Sequence, residues 1–292
     1  MRLDQAWESW DLDLRASRRA DRTRETYKLA VDQLADWLKN QSRSVKVKDI
    51  TRNDIRGFIL HVHTDRSPST ARQRHSSLKV FFKWLVEEGD IESNPMIGVK
   101  APKVPEKPIP VVSQRAFDLL VESCDATFTG RRDEAIIRLL WDTGMRLGEL
   151  IGLKADDVSF QMDVVWVEGK GEKTRQVPYT EITARALNRY VKARDRRDDS
   201  MSEWLWLGER GRLGKTGVEQ MLRRRCERLG IAHISPHQFR HAAADRFLTL
   251  GMQEGEVMEI LGWSRGSRTM LDRYGRSVAN RRAFDTYRRL VG

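Results

Sequence analysis

The amino-acid sequence predicts a mainly α protein with a small antiparallel sheet, divided into two domains. Three observations carry this. Apolar residues recur at helical spacing through the first hundred residues. The stretch K-A-P-K-V-P-E-K-P-I-P-V-V, residues 100–112, is too rich in proline to continue a helix. Beyond it, helical patterns resume, interrupted by two short β-rich runs that flank G-K-G-E-K. The expected boundaries are a helical domain over 1–98, an extended basic linker over 99–112 and a second domain over 113–292. A chain of 292 residues is long enough for two cores of this kind.

The first helix is expected from Leu3 to about Ser17, with Trp7, Trp10 and Leu14 on one face. Thr23 is expected to cap a second helix, whose stripe is Tyr27, Ala30, Val31, Leu34, Trp37 and Leu38. Thr51 with Asp54 forms a capping-box signature and opens a third, with Ile55, Phe58, Ile59 and Val62 inward. Pro68 and Ser69 start a fourth, which runs through Leu78, Phe81, Phe82 and Leu85 and stops near Gly89. Its outer face is expected to carry Arg72, Arg74, His75, Lys79 and Lys83, which could track a phosphate backbone; a solvated helix face is the plain alternative. Asn94-Pro95 closes the domain. In the second domain, helices are expected at 114–123, 131–143, 146–152, 181–194, 215–229, 236–249, 253–261 and 279–290. Strands are expected at 164–167 and 174–178, and Trp204 to Leu207 reads as a short strand or helix end.

Composition narrows the partners. The formal charge is +11 and the isoelectric point about 9.9, an excess that suggests a polyanion. The two cysteines, Cys124 and Cys226, stand far apart in no metal-ligand spacing and are expected to be free, as in the cytoplasm. The N-terminus has no signal-type apolar region, and no apolar run approaches a membrane span. No P-loop, G-x-G-x-x-G, H-E-x-x-H or zinc-type cysteine pair appears, so nucleotide and zinc-hydrolase chemistries find no motif.

Candidate chemistry lies in four places. In D-T-G-M-R-L-G-E-L, residues 142–150, Gly144 breaks one helix and Arg146 opens the next, with Glu149 at i+3. Lys170 sits between Gly169 and Gly171 in the turn joining the two strands, and Lys173 is its rival. His237 and Arg240 share one helical face. Trp263, in L-G-W-S, is followed by Tyr274 in M-L-D-R-Y-G-R. Guanidinium groups bind phosphate oxygens in a fork, and a hydroxyl can attack phosphorus if its anion is stabilised. Taken singly, Arg146–Glu149 is a common surface ion pair and Lys170 a solvated turn lysine. Arg223, Arg224 and Arg225 read as a basic helix face, with a plain solvated face as the alternative. His241 is expected to pack locally, Trp204 and Trp206 to lie in the core, and His61 and His63 to lie at the surface. Tyr287 is expected to pack with Phe284 and Leu290.

The order T-G-x-R-x-x-E-L, G-K-G-x-K-x-R, H-x-x-R-H, L-G-W-S and R-Y resembles the tyrosine recombinase (phage integrase) family over essentially the whole chain. The resemblance implies an N-terminal SAM-like core-binding domain that holds DNA and a catalytic domain from Ser113 onward. The core-binding helices begin at residue 3, so a compact type without an arm-binding domain is expected. It further implies that Tyr274 attacks the scissile phosphate to form a 3′-phosphotyrosyl bond. Arg146 and Arg240 would clamp the non-bridging oxygens, and Lys170 would protonate the leaving 5′ oxygen. His237 would donate to the phosphate or assist proton transfer, with Glu149 supporting the site from behind. Trp263 stands where many members have histidine; its N–H can only donate, and its ring can wall Tyr274. The DNA-binding candidates are Arg72, Arg74, Lys79, Lys83, Lys173, Arg223 and Arg224. No cofactor and no divalent metal are expected. Expected partners are double-stranded DNA, further copies of the chain in a tetramer on two sites (a monomer or dimer when free), and accessory DNA-bending or directionality proteins. The implied location is the bacterial cytoplasm or nucleoid. The rival readings are a type IB topoisomerase, an Xer-type dimer resolvase and a non-catalytic DNA-binding relative.

Overall fold

The computed structural model describes residues 1–105, 110–169 and 174–263, together with Phe284, Tyr287, Arg288, Leu290 and Val291. The chain forms two compact units, Met1–Lys107 and Pro108–Gly292. Each has its own core.

The first unit packs four helices: α1 (Leu3–Ala16), α2 (Asp21–Asn40), α3 (Arg52–Asp65) and α4 (Pro68–Glu87). The second helix opens at Asp21 rather than at a Thr23 cap. Asp21 favours the helix N-terminus and also holds Arg24, which forks onto Asp11 of α1 at 2.7 and 2.9 Å. The Thr51–Asp54 capping box forms as the sequence predicts: the Thr51 N–H donates to Asp54 Oδ2 at 2.8 Å, and the Asp54 N–H to Thr51 Oγ1 at 3.3 Å. Ser67 caps α4, with Pro68 at its first position. The core centres on Trp10, which stacks on Tyr27 at 4.9 Å and meets Phe81 at 5.2 Å. One expectation fails here. Arg74 and His75 do not lie on the outer face of α4; both are buried. Helical spacing sets them on the stripe of Ala71, Leu78 and Phe82, which faces the core. There Arg74 Nε donates to Gln33 Oε1 at 2.7 Å, and His75 Nε2 meets the Val99 carbonyl at 2.9 Å. Arg72, Lys79 and Lys83 are exposed, Lys83 pairing with Glu87 at 3.0 Å.

The second unit is built on α6 (Phe128–Thr143), which packs against α5 (Gln114–Glu122), α8 (Glu181–Arg194) and α10 (Pro236–Leu250). α6 begins three residues earlier than its periodicity suggests, because Thr127 accepts from the Gly130 N–H and caps it. α7 (Leu147–Gly152) follows. Strands β1 (Val158–Ser159), β2 (Val164–Glu168) and β3 (Thr174–Pro178) form an antiparallel sheet in which Val165 opposes Val177 and Glu168 opposes Thr174. Of the stretch 204–207, only Leu207 is in a strand: β4 (Leu207–Gly208) pairs with β5 (Gly211–Arg212), and Trp204 bridges to Lys154. α9 (Lys215–Leu229) and α11 (Glu254–Leu261) follow in the same unit.

Alternate residues of β2 and β3 turn Val165, Val167 and Val177 into the core, beside Ile136, Leu140, Tyr190, Trp206 and Phe239. Arg225 leaves the expected basic face. It forks onto buried Asp133 at 3.2 and 2.6 Å, and Arg132 binds the other oxygen of the same carboxylate. Arg223 and Arg224 remain exposed. Phe284, Tyr287 and Leu290 are 67%, 64% and 74% exposed. Both cysteines are free. Among the described residues no helix is long and apolar enough to cross a membrane.

Candidate active site

The site begins where α6 stops. Gly144 ends the helix at φ 57°, in the left-handed region. A Cβ there would lie 2.7 Å from both Ala243 Cβ and Leu261 Cδ2, so the close approach of α6 to α10 and α11 requires glycine. The sharp turn puts Arg146 at the N-cap of α7. Glu149, one turn on, is nearly buried, with its side chain 7% exposed. Its Oε2 accepts the Arg146 backbone N–H at 2.7 Å, and its Oε1 accepts Arg146 Nη1 at 2.8 Å.

A second guanidinium shares this carboxylate. Arg175, on β3, donates through Nη1 to Glu149 Oε1 at 3.2 Å and through Nη2 to Oε2 at 2.9 Å. Burial pushes the Glu149 carboxyl up. The bonds from Arg175 and Arg146 more than offset this and hold it below the usual carboxylate range. The sequence motifs give Arg175 no separate role, although it closes G-K-G-x-K-x-R. One signal was present: Arg175 stands two residues from Val177, on the face of β3 that turns inward, where a charge needs a partner.

α10 supplies the rest. Ser235 caps it, Pro236 is its first residue, and Gln238 Oε1 accepts the Ser235 N–H at 2.6 Å. His237 and Arg240 follow on one face. Arg240 is 3% exposed. Its Nη1 donates to the Gly144 carbonyl at 3.0 Å and its Nη2 to the Leu261 carbonyl at 2.6 Å. Both acceptors are neutral. Burial and the nearby Arg146 push this guanidinium down to about 9, with Glu149 opposing. The Trp263 ring lies 5.3 Å from Arg240 Cζ, within cation–π range. The His237 ring packs edge-on against buried His241 at 4.2 Å. Burial, then Arg240 and Arg146, hold the His237 pKa below its ordinary value.

The structure thus brings together Arg146, Glu149, His237, Arg240 and Trp263, from positions spread over more than a hundred residues. Among the described residues, three guanidiniums face one carboxylate, and three minus one leaves an excess of two positive charges. An anion is the ligand that such a charge distribution favours. Arg240 uses two of its five N–H donors on carbonyls, and Arg146 is 47% exposed, so donors remain for a tetrahedral oxyanion. Lys170, Lys173 and Tyr274 lie outside the described residues. Among those described, no three His, Cys, Asp or Glu side chains cluster to hold a metal ion.

Comparison with known proteins agrees with this chemistry. The phage integrase family matches residues 111–281, and the phage integrase N-terminal SAM-like domain matches residues 7–89. The tyrosine recombinase XerC of Oceanobacillus iheyensis is 31% identical over 254 residues, covering 84% of this chain and 83% of that protein. XerC of Bacillus pumilus is 35% identical, covering 77% and 76%. The chain belongs to the phage integrase family, the tyrosine recombinases. In fold it is similar to the Tn1549 transposon integrase in complex with transposon right end DNA, with a TM-score of 0.76, 20% identity and full coverage of both chains. The XerA recombinase is similar at a TM-score of 0.53 and 25% identity over 99% of each chain.

Proposed function

We propose that this chain breaks and rejoins double-stranded DNA at specific sites, with Tyr274 as nucleophile, and exchanges strands between two sites held by four copies. The observation that carries the reading is the set formed by Arg146, Arg240 and Glu149, with its positive excess. In the ground state a phosphodiester brings one negative charge. Attack by the Tyr274 hydroxyl adds a second on the phosphorane-like path, where the fixed guanidiniums interact most strongly. His237, kept neutral by its surroundings, can accept the phenolic proton and return it on religation. Trp263 N–H donates to a non-bridging oxygen. Lys170 protonates the departing 5′ oxygen. The ester conserves the bond energy, so rejoining needs no nucleotide. Residues 1–98 grip the DNA through Arg72, Lys79 and Lys83, residues 99–112 form the linker, and residues 113–292 carry the chemistry, with Lys173, Arg223 and Arg224 as further DNA contacts. The bacterial cytoplasm or nucleoid is the place of action.

A suitable site can be selected from a random duplex pool with Tyr274→Phe and then built as a nicked duplex that traps the covalent intermediate. Wild type yields a protein–DNA adduct on a denaturing gel and Tyr274→Phe yields none. An adduct of equal yield from Tyr274→Phe overturns the assignment. A second reading, resolution of chromosome or plasmid dimers, is favoured by the XerC relatives. Plasmids carrying two directly repeated sites separate the two: a preference for resolving them over joining separate molecules supports it.

A further inference from the structure

Three arginines meet at one helix end. The last carbonyls of an α-helix have no partner inside the helix. At the end of α11, three consecutive carbonyls each accept from a different guanidinium. Arg175 Nε donates to Ile260 at 3.0 Å, Arg240 Nη2 to Leu261 at 2.6 Å, and Arg146 Nη2 to Gly262 at 3.0 Å. The helix dipole places partial negative charge here, which offsets the mutual repulsion of the three cations. Arg146 and Arg240 are the phosphate clamp of the reading above. Arg175 has no place in it.

Arg175 is also turned the wrong way for a phosphate ligand. Its side chain is 11% exposed, and its Nε, Nη1 and Nη2 all donate inward, to Ile260 and to both oxygens of Glu149. The same Glu149 oxygens hold the backbone and side chain of Arg146. Gly262 closes the frame at φ 60°; a Cβ on it would lie 2.7 Å from Arg175 Cζ, so the helix end is packed directly on this guanidinium. We propose that Arg175 is a positioning residue for the phosphate clamp, fixing Glu149 and the end of α11 and, through both, the guanidinium of Arg146. The proposal rests on the recombinase reading.

Without Arg175, Glu149 is left to Arg146, and the Ile260 carbonyl loses its donor. Both anchors of Arg146 can then shift together. A displacement of about 1 Å at a reacting group is enough for a loss of about 100-fold. Lysine cannot replace the fork, because an ammonium is a single point charge and cannot hold both carboxylate oxygens and a carbonyl in one plane.

The test uses the full chain and the nicked trapping duplex. Single-turnover adduct formation at saturating DNA and DNA affinity by anisotropy are measured for wild type, Arg175→Ala, Arg175→Lys, Arg146→Lys and the Arg146→Lys/Arg175→Ala double variant. The expected result is a rate about 100-fold lower for Arg175→Ala with affinity changed less than about 3-fold, and at most partial recovery in Arg175→Lys. In the Arg146→Lys background, the loss of Arg175 slows the reaction by less than about 5-fold, because the two act as a unit. A rate for Arg175→Ala within about 3-fold of wild type overturns the proposal. So does a full loss in both backgrounds, which would mean that Arg175 acts independently of Arg146. If Arg175→Ala does not fold, Arg175→Lys decides: a slowed rate at unchanged affinity supports the role, and a wild-type rate overturns it. Absence of adduct from the wild type overturns the recombinase reading itself, an outcome distinct from failure at Arg175.

Discussion

Replacing Glu149 with glutamine keeps the shape of the site and removes the one anion among its described residues. Two ion pairs are lost. The Arg175 arm is buried on both sides, at 11% and 7% exposure, and breaking such a pair costs about 3–5 kcal/mol. The Arg146 arm is half exposed on the arginine side and adds less than about 1 kcal/mol. Glutamine recovers part of this through its carbonyl, so a net loss of about 3 kcal/mol is expected. For a unit of this size that lowers the melting temperature by about 6–12 °C. The pH dependence gives the sign a second check. Glu149 titrates below 4.5, the ordinary value of a glutamate, in the folded chain. Its stabilisation is therefore complete above that value and is lost as the pH falls through the lower, folded-state value. The gap between wild type and Glu149→Gln should be constant from about pH 8 to 5.5 and close on further acidification. Thermal unfolding followed by circular dichroism, reading the transition of the Pro108–Gly292 unit, measures it. A gap under about 2 °C at neutral pH, or one that widens in acid, refutes the view that this carboxylate holds the arginines.

Other expectations follow from the same contacts. Arg240→Lys loses the fork to two carbonyls, and adduct formation should fall about 100- to 1000-fold with DNA affinity little changed; a loss confined to affinity counts against its place at the phosphate. Gly144→Ala forces a left-handed backbone and two side-chain clashes, so the catalytic unit should lose more than about 1 kcal/mol in denaturant titration. The acid limb of kcat/KM for adduct formation should have its midpoint below 6.5, the ordinary value for histidine, because burial and two arginines favour neutral His237; a midpoint above that value argues against His237 as the base. Arg74→Ala should lower the melting temperature of the first unit, whereas Lys79→Ala should leave it unchanged and weaken DNA binding at low salt.

The parts of the site that the sequence made legible were local. Arg146 and Glu149 share a helix turn, as do His237 and Arg240, and Gly144 carries the helix stop that brings Arg146 to an N-cap. Thr51 and Asp54 are likewise three apart, and their capping box stands as read. What stayed hidden depends on distance along the chain. Arg175 reaches a carbonyl 85 residues away, and backbone carbonyls have no letter in the sequence. Arg74 and Arg225 were misplaced for a different reason. Their charge suggested the surface, while their spacing from Ala71 and Leu78, and from Leu222 and Cys226, set them inward. A buried arginine is tolerated when its donors are satisfied, and Gln33 and Asp133 satisfy them. Neither partner could be assigned without the fold.

The end of α11 explains why so charged a site is built at all. Three guanidiniums facing one carboxylate repel one another, and burial raises the cost for Arg240 above all. Water would screen that repulsion but would also have to reorganise as charge develops on phosphorus. Carbonyls at a helix end offset part of the repulsion through the dipole and are already oriented, so they need not reorganise. They accept hydrogen bonds without neutralising the cations, so the positive excess stays available to the phosphate that the proposed function places here. A second carboxylate in their place would stabilise the empty site and weaken its hold on an anion that gains charge during reaction. On the proposed function, the stability given up by crowding the cations is the same interaction that is recovered, in larger measure, at the transition state.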